Sequence, residues 1–386
     1  MKIGVLIDRL NVGGVEKVAI EEVRSLRSLG EDAYLVILRR EATVEGAFSD
    51  LINDIPIIYL DDRLADFLKL SFKFPIFNFF SFFHISYPLF IPLVVKKNEF
   101  EYLISHSTYT SFTAITIKKF NKIKYSAFIW DPIGYILNRV YSKKISTHLL
   151  TILSYIARFL DKQIVSNSDV VLVGGIAHNA YLKGLNSQKE IKVIPPSTYP
   201  LDKIPTEKKD YILMVTAWKG GKNPEYIFEL LKKLPGIKIK MVGRWIDNNY
   251  KEEFEAKIRK ANLTKNIDVV GGVNEKDLSK YYAEALLLLL TNYEAFGMPA
   301  LEAAGHGTTF IITKGSGVCS LFQDKIDGFY TEEKDTQTII EYIELLRKDK
   351  NLAVEMGRHA WKTVRNKYDW QKHAEQLKTT IENHAK

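Results

Sequence analysis

Residues 286–305 read LLLLLTNYEAFGMPALEAAG, and this stretch decides the fold class of the chain. Its five leucines form a short apolar run that is typical of a buried strand, and a loop then leads to Pro299, a residue tolerated in the first turn of a helix. The backbone N–H groups around Phe296 to Met298 would lie at the start of that helix, where a diphosphate can bind. A buried strand, a loop and a helix in this order indicate a parallel α/β sheet.

The same alternation of apolar runs and helical patterns continues along the whole chain. Between two sets of runs, residues 195–205 contain four of the twelve prolines and predict a linker. The sequence therefore predicts two α/β domains, residues 1–200 and 201–365, with a ligand held in a cleft between their parallel sheets. The amphipathic segment 366–386 is expected to return to the first domain. The predicted strands are 3–7, 33–37, 55–60, 102–105, 125–129, 170–173, 192–194, 211–215, 239–242, 267–270, 286–290 and 310–313.

Composition limits the classes of protein that the chain can represent. A hydrophobic content of 46% and a charged content of 26% exclude a disordered chain. Cys319, the single cysteine, cannot form an internal disulfide, and no Cys/His spacing typical of zinc is present. The first seven residues lead directly to Asp8, which does not fit a signal peptide, so we expect a cytoplasmic protein.

Two carboxylates and two glycines are candidates for contact with a ligand. Glu294 lies in the predicted loop, where sugar hydroxyls could bind, and Glu302 lies one turn into the helix, where it could accept bonds from ribose hydroxyls. The structural alternative is a solvated loop residue and a glutamate favoured by the helix dipole. Gly13 and Gly14 would let backbone approach a phosphate, but their spacing is not the G-x-G-x-x-G of dinucleotide-binding dehydrogenases.

These residues resemble a known family. Glu294 and Glu302, separated by seven residues, are similar to the E-x7-E signature of retaining glycosyltransferases of the GT-B fold, especially family four. Further similar motifs occur in family order: Gly13-Gly14-Val15-Glu16, Lys222-Asn223-Pro224-Glu225, Val242-Gly243, Gly271-Gly272-Val273 and Gly305-x-Gly307.

The resemblance implies retaining transfer of a hexose from a UDP- or GDP-linked sugar to an acceptor hydroxyl, without a metal or another cofactor. It places catalysis on Glu294, Lys222 and Asp131, with Lys222 neutralising the leaving diphosphate. It assigns donor binding to Gly13, Gly14, Lys219, Phe296, Gly297, Met298, Glu302 and Gly272.

The chain departs from the family pattern at several positions. Ala217 stands where the family commonly has an arginine, and Lys219 is expected to substitute for it in part. Trp130 precedes Asp131 where many members have a histidine, and Thr309 replaces a proline. His106, at the end of a predicted strand, is either a cleft residue or a hydrogen-bonded structural group. These departures keep a second hypothesis open, a non-catalytic protein that binds a sugar nucleotide or serves as a scaffold.

The net charge of +8 is concentrated in one part of the first domain. Residues 63–144 contain twelve Lys or Arg and four Asp or Glu, and residues 67–90 contain nine of the 21 phenylalanines. Aromatic residues with flanking cations predict a membrane surface at residues 67–95 and a glycan or lipid-linked acceptor. The alternatives are a domain core or an oligomer interface, and nucleic acid is disfavoured because no binding motif is present.

Overall fold

The structure, a computed structural model, describes residues 1–10, 13–40, 51–63, 94–142, 145–234 and 236–385. The chain divides into two compact units. The first unit comprises Met1–Pro196 with Trp370–Lys386, and the second comprises Ser197–Asp369. The phenylalanine-rich part of the predicted membrane segment, residues 67–90, lies outside the described residues.

Parallel strands form the centre of the first unit. Its described residues contain a seven-stranded sheet with the order β3-β2-β1-β4-β5-β6-β7, in which every pair of neighbours is parallel. The strands are mostly apolar because helices cover both faces of such a sheet. They are β1 (Lys2–Ile7), β2 (Asp32–Ile37), β3 (Ile57–Tyr59), β4 (Tyr102–His106), β5 (Lys124–Phe128), β6 (Val170–Val173) and β7 (Ile191–Val193).

The helices of the first unit connect these strands, and the last helix of the chain joins them. That last helix packs against α1 with a buried stripe, Trp370, Ala374, Leu377 and Ile381, whose spacing of three and four keeps one face inward. The helices, numbered in chain order, are α1 (Gly14–Ser28), α2 (Thr108–Asn121), α3 (Ile133–Tyr141), α4 (Thr147–Asn167), α5 (Asn179–Leu185) and α12 (Trp370–Ala385).

The second unit repeats this plan. Its described residues form a six-stranded parallel sheet with the order β10-β9-β8-β11-β12-β13. The strands are β8 (Lys209–Val215), β9 (Ile239–Val242), β10 (Ile267–Gly271), β11 (Ala285–Leu290), β12 (Phe310–Thr313) and β13 (Phe329–Thr331). The helices are α6 (Tyr226–Lys233), α7 (Asn248–Lys260), α8 (Glu275–Glu284), α9 (Met298–Gly305), α10 (Thr336–Lys348) and α11 (Lys350–Lys367).

The predicted fold class is confirmed, since both sheets are parallel and doubly wound. Each predicted apolar run contains a strand, with ends that differ by a few residues. Strand β13 was not predicted, because its residues Phe329–Thr331 are not part of a longer apolar run in the sequence. Among the described helices, none is long and apolar enough to cross a membrane.

Candidate active site

The order of the strands determines where polar groups meet in the second unit. The sheet changes direction between β8 and β11, which pair in parallel through Ile212 with Leu287 and Leu213 with Leu288. Ligands of open α/β sheets bind at such a switch point, at the carboxyl ends of the strands. The loop after β8 carries Lys222 and the loop after β11 carries Glu294, so these two residues meet there.

A direct ion pair joins the two residues. The Lys222 Nζ atom donates to both carboxylate oxygens of Glu294, at 2.6 and 2.8 Å. The two side chains are 22% and 21% exposed. The Asn292 side-chain amide also donates to the Lys222 carbonyl oxygen at 2.8 Å, which ties the two loops together. Lys222 was predicted to bind the diphosphate and Glu294 to bind the sugar, and in the structure the two side chains contact each other.

A third loop, after β12, supports the loop that carries Glu294. The Ser316 hydroxyl accepts the Glu294 N–H at 3.1 Å, and the Phe296 carbonyl oxygen accepts the Val318 N–H at 2.8 Å. Gly317 allows this close approach, because a Cβ atom there would lie 2.5 Å from the Ala295 carbonyl oxygen. Ser316 and Gly317 were not predicted as site residues, because their roles depend on contacts between loops that are distant in sequence.

Helix α9 begins immediately after the Glu294 loop. Gly297 is its N-cap at a φ of +102°, a conformation that favours glycine, and Pro299 stands in the first turn. The first N–H groups of a helix lack acceptors within the helix and attract anions. The side chains of Phe296 and Met298 are 4% and 7% exposed. Their side chains therefore serve packing, so a donor contact here would use backbone N–H groups.

Glu302, the second carboxylate of the signature, faces the interior of its unit. Its side chain is 7% exposed, and its Oε2 atom accepts a hydrogen bond from the Tyr282 hydroxyl at 2.7 Å. Burial and then the nearby carboxylate raise the pKa of Tyr282 well above its ordinary value, so the phenol keeps its proton. The structure thus gives one Glu302 oxygen to Tyr282, whereas the sequence analysis assigned this carboxylate to ribose hydroxyls.

In the first unit, the glycine pair lies at the switch point between β1 and β4. Gly13 is the N-cap of α1, and Gly14 is its first residue. The Glu16 carboxylate folds over Gly13, with one oxygen 2.6 Å from the place of a Cβ atom on that residue. Burial raises the pKa of Glu16 to about 7, so this carboxyl group changes charge near neutral pH.

His106 belongs to a buried cluster at the end of β4. Its Nε2 atom lies 2.7 Å from one oxygen of Glu22, and the His373 Nε2 atom lies 2.9 Å from the other. Burial disfavours the Glu22 carboxylate, but the two imidazoles outweigh it and hold its pKa at about 2. The Trp130 indole N–H donates to His106 Nδ1 at 3.4 Å. Of the two interpretations, the structure supports the hydrogen-bonded structural group for His106.

Asp131 has a different environment from its neighbour Trp130. Its side chain is 36% exposed, and its Oδ1 atom lies 3.6 Å from Nε2 of the buried His178. It therefore remains accessible to a ligand. Ser107, which follows β4, has a φ of +108°, a strained conformation of a kind that clusters at functional sites. Asp131 belongs to the first unit, whereas the Lys222–Glu294 ion pair belongs to the second.

The comparisons with known proteins identify the second unit. Residues 201–363 match the family described as glycosyl transferases group 1. The second unit is therefore similar to a group 1 glycosyltransferase domain over most of its length. The family resemblance predicted from Glu294, Glu302 and the ordered glycine and lysine motifs is confirmed.

Relatives and solved structures extend the similarity over the whole chain. An uncharacterized 41.2 kDa protein from the cps region of Klebsiella pneumoniae is 25% identical over 275 residues, 65% of this chain and 70% of the relative. A sucrose-phosphate synthase from Thermosynechococcus elongatus has a TM-score of 0.79 at 15% identity, over 99% of this chain and 98% of the other. HepE from Anabaena, solved with UDP and glucose, has a TM-score of 0.73 at 15% identity, over 99% of both chains. These structures show the GT-B fold.

The second unit contains a cation, Arg244, that was not predicted from the sequence. Arg244 follows β9, and its Cα and Cβ atoms lie 4.0 Å from the place of a Cβ atom on Gly272, a predicted donor-binding residue. The Arg244 carbonyl oxygen accepts the Trp218 N–H at 2.8 Å, so its loop runs beside the exposed Lys219. Neither Lys219 nor Arg244 forms an ion pair with another described residue. The position of Arg244 directly after the predicted strand 239–242 and the Val242-Gly243 motif was the sequence signal that could have revealed it.

Proposed function

We propose that the chain transfers a hexose from a UDP- or GDP-linked donor to a hydroxyl group of a glycan or lipid-linked acceptor, with retention of anomeric configuration. The observation that carries the proposal is the Lys222–Glu294 ion pair, located beside the start of α9 in a group 1 domain. This site combines a cation, a carboxylate and helix N–H groups at the switch point of a parallel sheet.

In donor binding, some of these groups would contact the phosphates and others the sugar. A diphosphate needs several cations or N–H donors, and the Lys222 ammonium has three donors, two of which reach Glu294. The third donor, the first turn of α9 and the cations Lys219 and Arg244 are the groups available to the phosphates. Glu294 would then accept bonds from hydroxyls of the sugar while still fixed by Lys222 and by Ser316.

The same groups would accelerate the reaction. As the bond between the sugar and the diphosphate breaks, negative charge grows on the departing oxygen. Lys222 and the α9 N–H groups are held in place before the reaction, so they would bind this growing charge more strongly than the ground state. We expect the reaction to need no added metal ion, because these protein groups would supply the neutralisation.

The identity of the donor, the acceptor side and the location of the enzyme are further parts of this proposal. HepE, of the same fold, was solved with UDP and glucose, which supports a nucleotide-linked hexose as donor. The exposed Asp131 and the Gly13–Gly14 edge of the first unit are the proposed acceptor side. We expect a cytoplasmic protein that works at a membrane when the acceptor is lipid-linked.

Release of nucleoside diphosphate from a set of UDP- and GDP-sugars, with candidate acceptors and with a chelator present, would test the proposal. Lys222→Ala should weaken binding of the diphosphate, whereas Glu294→Gln should retain it and lose about 100-fold or more in turnover. Proton NMR of the product would report its anomeric configuration. Unchanged turnover in both variants would show that the site is assigned wrongly, and an inverted product would exclude retention.

A non-catalytic binding protein is the second candidate, favoured by Ala217, by Trp130 and by the Glu302 oxygen already engaged with Tyr282. Calorimetry separates the two functions. Tight binding of a nucleotide sugar, together with no hydrolysis or transfer for any acceptor, would support the binding protein.

A further inference from the structure

Helix α4 carries an apolar stripe that faces solvent. Four of its residues, Ile152, Tyr155, Ile156 and Phe159, are separated by three or four positions and so share one face with Leu149. Their exposed fractions range from 42% to 73%. Exposed apolar groups are ordinary when scattered, but a contiguous patch of this kind marks an interaction surface.

The opposite face of α4 already has its own packing partners. Leu150, Leu153 and Leu160 pack against a small cluster formed by Ala157 with Ile133 and Leu137 of α3. The solvent-facing stripe is therefore a second apolar face, and the core of the unit does not require it.

The stripe lies toward the carboxyl edge of the first sheet. Helix α4 has 21 residues and a length of about 31 Å, whereas the five residues of β5 span about 17 Å. Only the last turns of the helix, with Ile164 and Val165, join the core at the sheet, just before β6 begins. The first half of α4, which carries the stripe, thus extends beyond the edge where the Gly13–Gly14 loop lies.

The charges around the stripe have one sign. Residues 132–168 contain five Lys or Arg and one acidic residue, Asp161. Asp161 is 2% exposed, and its two oxygens accept the N–H groups of Ile133 and Gly134 at 2.9 Å. Arg139 of α3 and Arg158 and Lys162 of α4 are exposed, and Arg158 also donates to the Gly184 carbonyl oxygen at 3.0 Å. Among the described residues 132–142 and 145–168, all exposed Lys, Arg, Asp and Glu side chains are therefore cations.

We propose that this surface, the α4 stripe with its flanking cations, docks on an anionic lipid bilayer. Apolar and aromatic side chains enter the boundary between headgroups and acyl chains, and neighbouring lysine and arginine residues meet anionic headgroups. The stripe lies on a single helix with exposed cations nearby, which suits a bilayer surface. The residues of this docking site are different from those of the predicted segment 67–95, and the docking does not depend on the transfer reaction.

Vesicle flotation tests the docking site. The full chain is mixed with phosphatidylcholine vesicles that contain or lack phosphatidylglycerol. We expect it to float with the anionic vesicles and to lose binding as salt rises. The triple variant Ile152→Ser, Tyr155→Ser, Phe159→Ser should bind these vesicles at least about tenfold more weakly. The matched control, Phe120→Ser with Ile176→Ser, removes side chains that are 73% and 60% exposed in the same unit, and it should float like the parent.

Several outcomes would overturn the docking site. They are a parent chain that does not float, a triple variant that floats normally, and loss of flotation only when Phe79, Phe80, Phe82 and Phe83 become serine. A fourth outcome is that the parent chain is a dimer, that the triple variant is a monomer, and that neither protein binds vesicles. Circular dichroism checks folding, and the single change Tyr155→Ser, at 73% exposure, replaces the triple variant if that one unfolds. Binding of UDP or GDP by the variant is measured separately, so failure of docking and failure of the proposed function are distinguished.

Discussion

In the second unit, individual cations in the loops after the strands decide where positive charge lies, because the overall charge of the unit is small. Residues 201–365 contain 26 Lys or Arg and 24 Asp or Glu, so a bulk positive field cannot hold a diphosphate. In the proposed site, Lys219, Lys222 and Arg244 would therefore act through their positions in the loops. Among these, Arg244 lies in the loop after β9, whose backbone contacts the loop that carries Ala217 and Trp218.

The first prediction concerns this arginine. Arg244→Ala should weaken binding of UDP or GDP about tenfold, since a hydrogen bond to a charged group contributes about 1.5–3 kcal/mol. Isothermal titration calorimetry measures the affinity. Arg259→Ala removes an exposed arginine from α7 and is the control expected to bind normally. Equal affinities for the two variants would remove Arg244 from the site.

A buried lysine predicts how stability depends on pH. Lys208 is 8% exposed and donates to the Ala283 carbonyl oxygen and the Thr308 hydroxyl, both at 2.7 Å. Burial lowers its pKa to about 7. Between that value and about 10.4, the unfolded chain binds a proton that the folded chain lacks, so the free energy of unfolding should rise with pH, by at most about 1.4 kcal/mol per unit.

Urea denaturation at pH 7, 8 and 9 measures that slope. Lys208→Met should flatten it, because no ionisable group remains at the buried position. Lys232→Met, which removes an exposed lysine from α6, should keep the parent slope. Identical slopes for all three proteins would mean that Lys208 is not the titrating group.

The site could be predicted from the sequence only in part. Lys222 and Glu294 were singled out because each follows an apolar run and matches a motif. Their direct contact could not be predicted, since it requires β8 and β11 to be neighbours in the sheet. The hydrogen bond from the Tyr282 hydroxyl to Glu302 could not be predicted either, because α8 and α9 meet only through tertiary packing.

At the scale of elements, the loops after β8, β11 and β12 act as one assembly, and Gly317 controls their spacing. Gly317→Ala would place a Cβ atom 2.5 Å from the Ala295 carbonyl oxygen, so the Glu294 loop must shift. We expect turnover to fall at least about tenfold, because small displacements of catalytic groups are costly. The assay is nucleoside diphosphate release. Gly184→Ala, in helix α5 with open space around it, is the control and should be neutral or slightly stabilising.

Helix α12 depends on a polar cluster as well as on its apolar stripe. Glu22 accepts from both His106 and His373, and the latter residue belongs to α12. Glu22→Gln has a single acceptor oxygen, so one imidazole loses its partner and the first unit should lose about 2 kcal/mol of unfolding free energy. Urea denaturation and hydrogen exchange in residues 370–385 report the change. Glu375→Gln, exposed on the same helix, should have little effect, and equal losses in both variants would contradict the role of the cluster.

Elements were easier to predict than their contacts. Long apolar runs such as Leu286 to Leu290 can only be buried, so the strands were found. The amphipathic pattern of the last segment showed which face would be buried, but the partner of that face, α1, follows from the three-dimensional fold. The solvent-facing stripe of α4 was not predicted, because the periodicity of a sequence does not distinguish an exposed apolar face from a buried one.

At the scale of the whole molecule, chemistry and charge are divided between the two units. Most of the excess positive charge lies in the first unit, which has 27 Lys or Arg and 21 Asp or Glu and also carries the α4 stripe. The proposed donor-binding residues Lys222, Glu294 and Arg244 belong to the second unit. Binding of a nucleotide should therefore stabilise the second unit directly, since a ligand that binds only the folded state shifts its unfolding by mass action.

Hydrogen exchange with and without UDP or GDP tests this division. At a nucleotide concentration about 100 times the dissociation constant, amides of the second sheet that exchange by unfolding of their unit should gain about 2.7 kcal/mol of protection. Amides of β1, β4 and β5 in the first sheet should gain less. Lys222→Ala should reduce the protection at the same nucleotide concentration, whereas Lys232→Ala should not. Protection centred on the first unit would contradict the proposed nucleotide site in the second unit. The nucleotide that gives the larger protection, UDP or GDP, would identify the base of the donor.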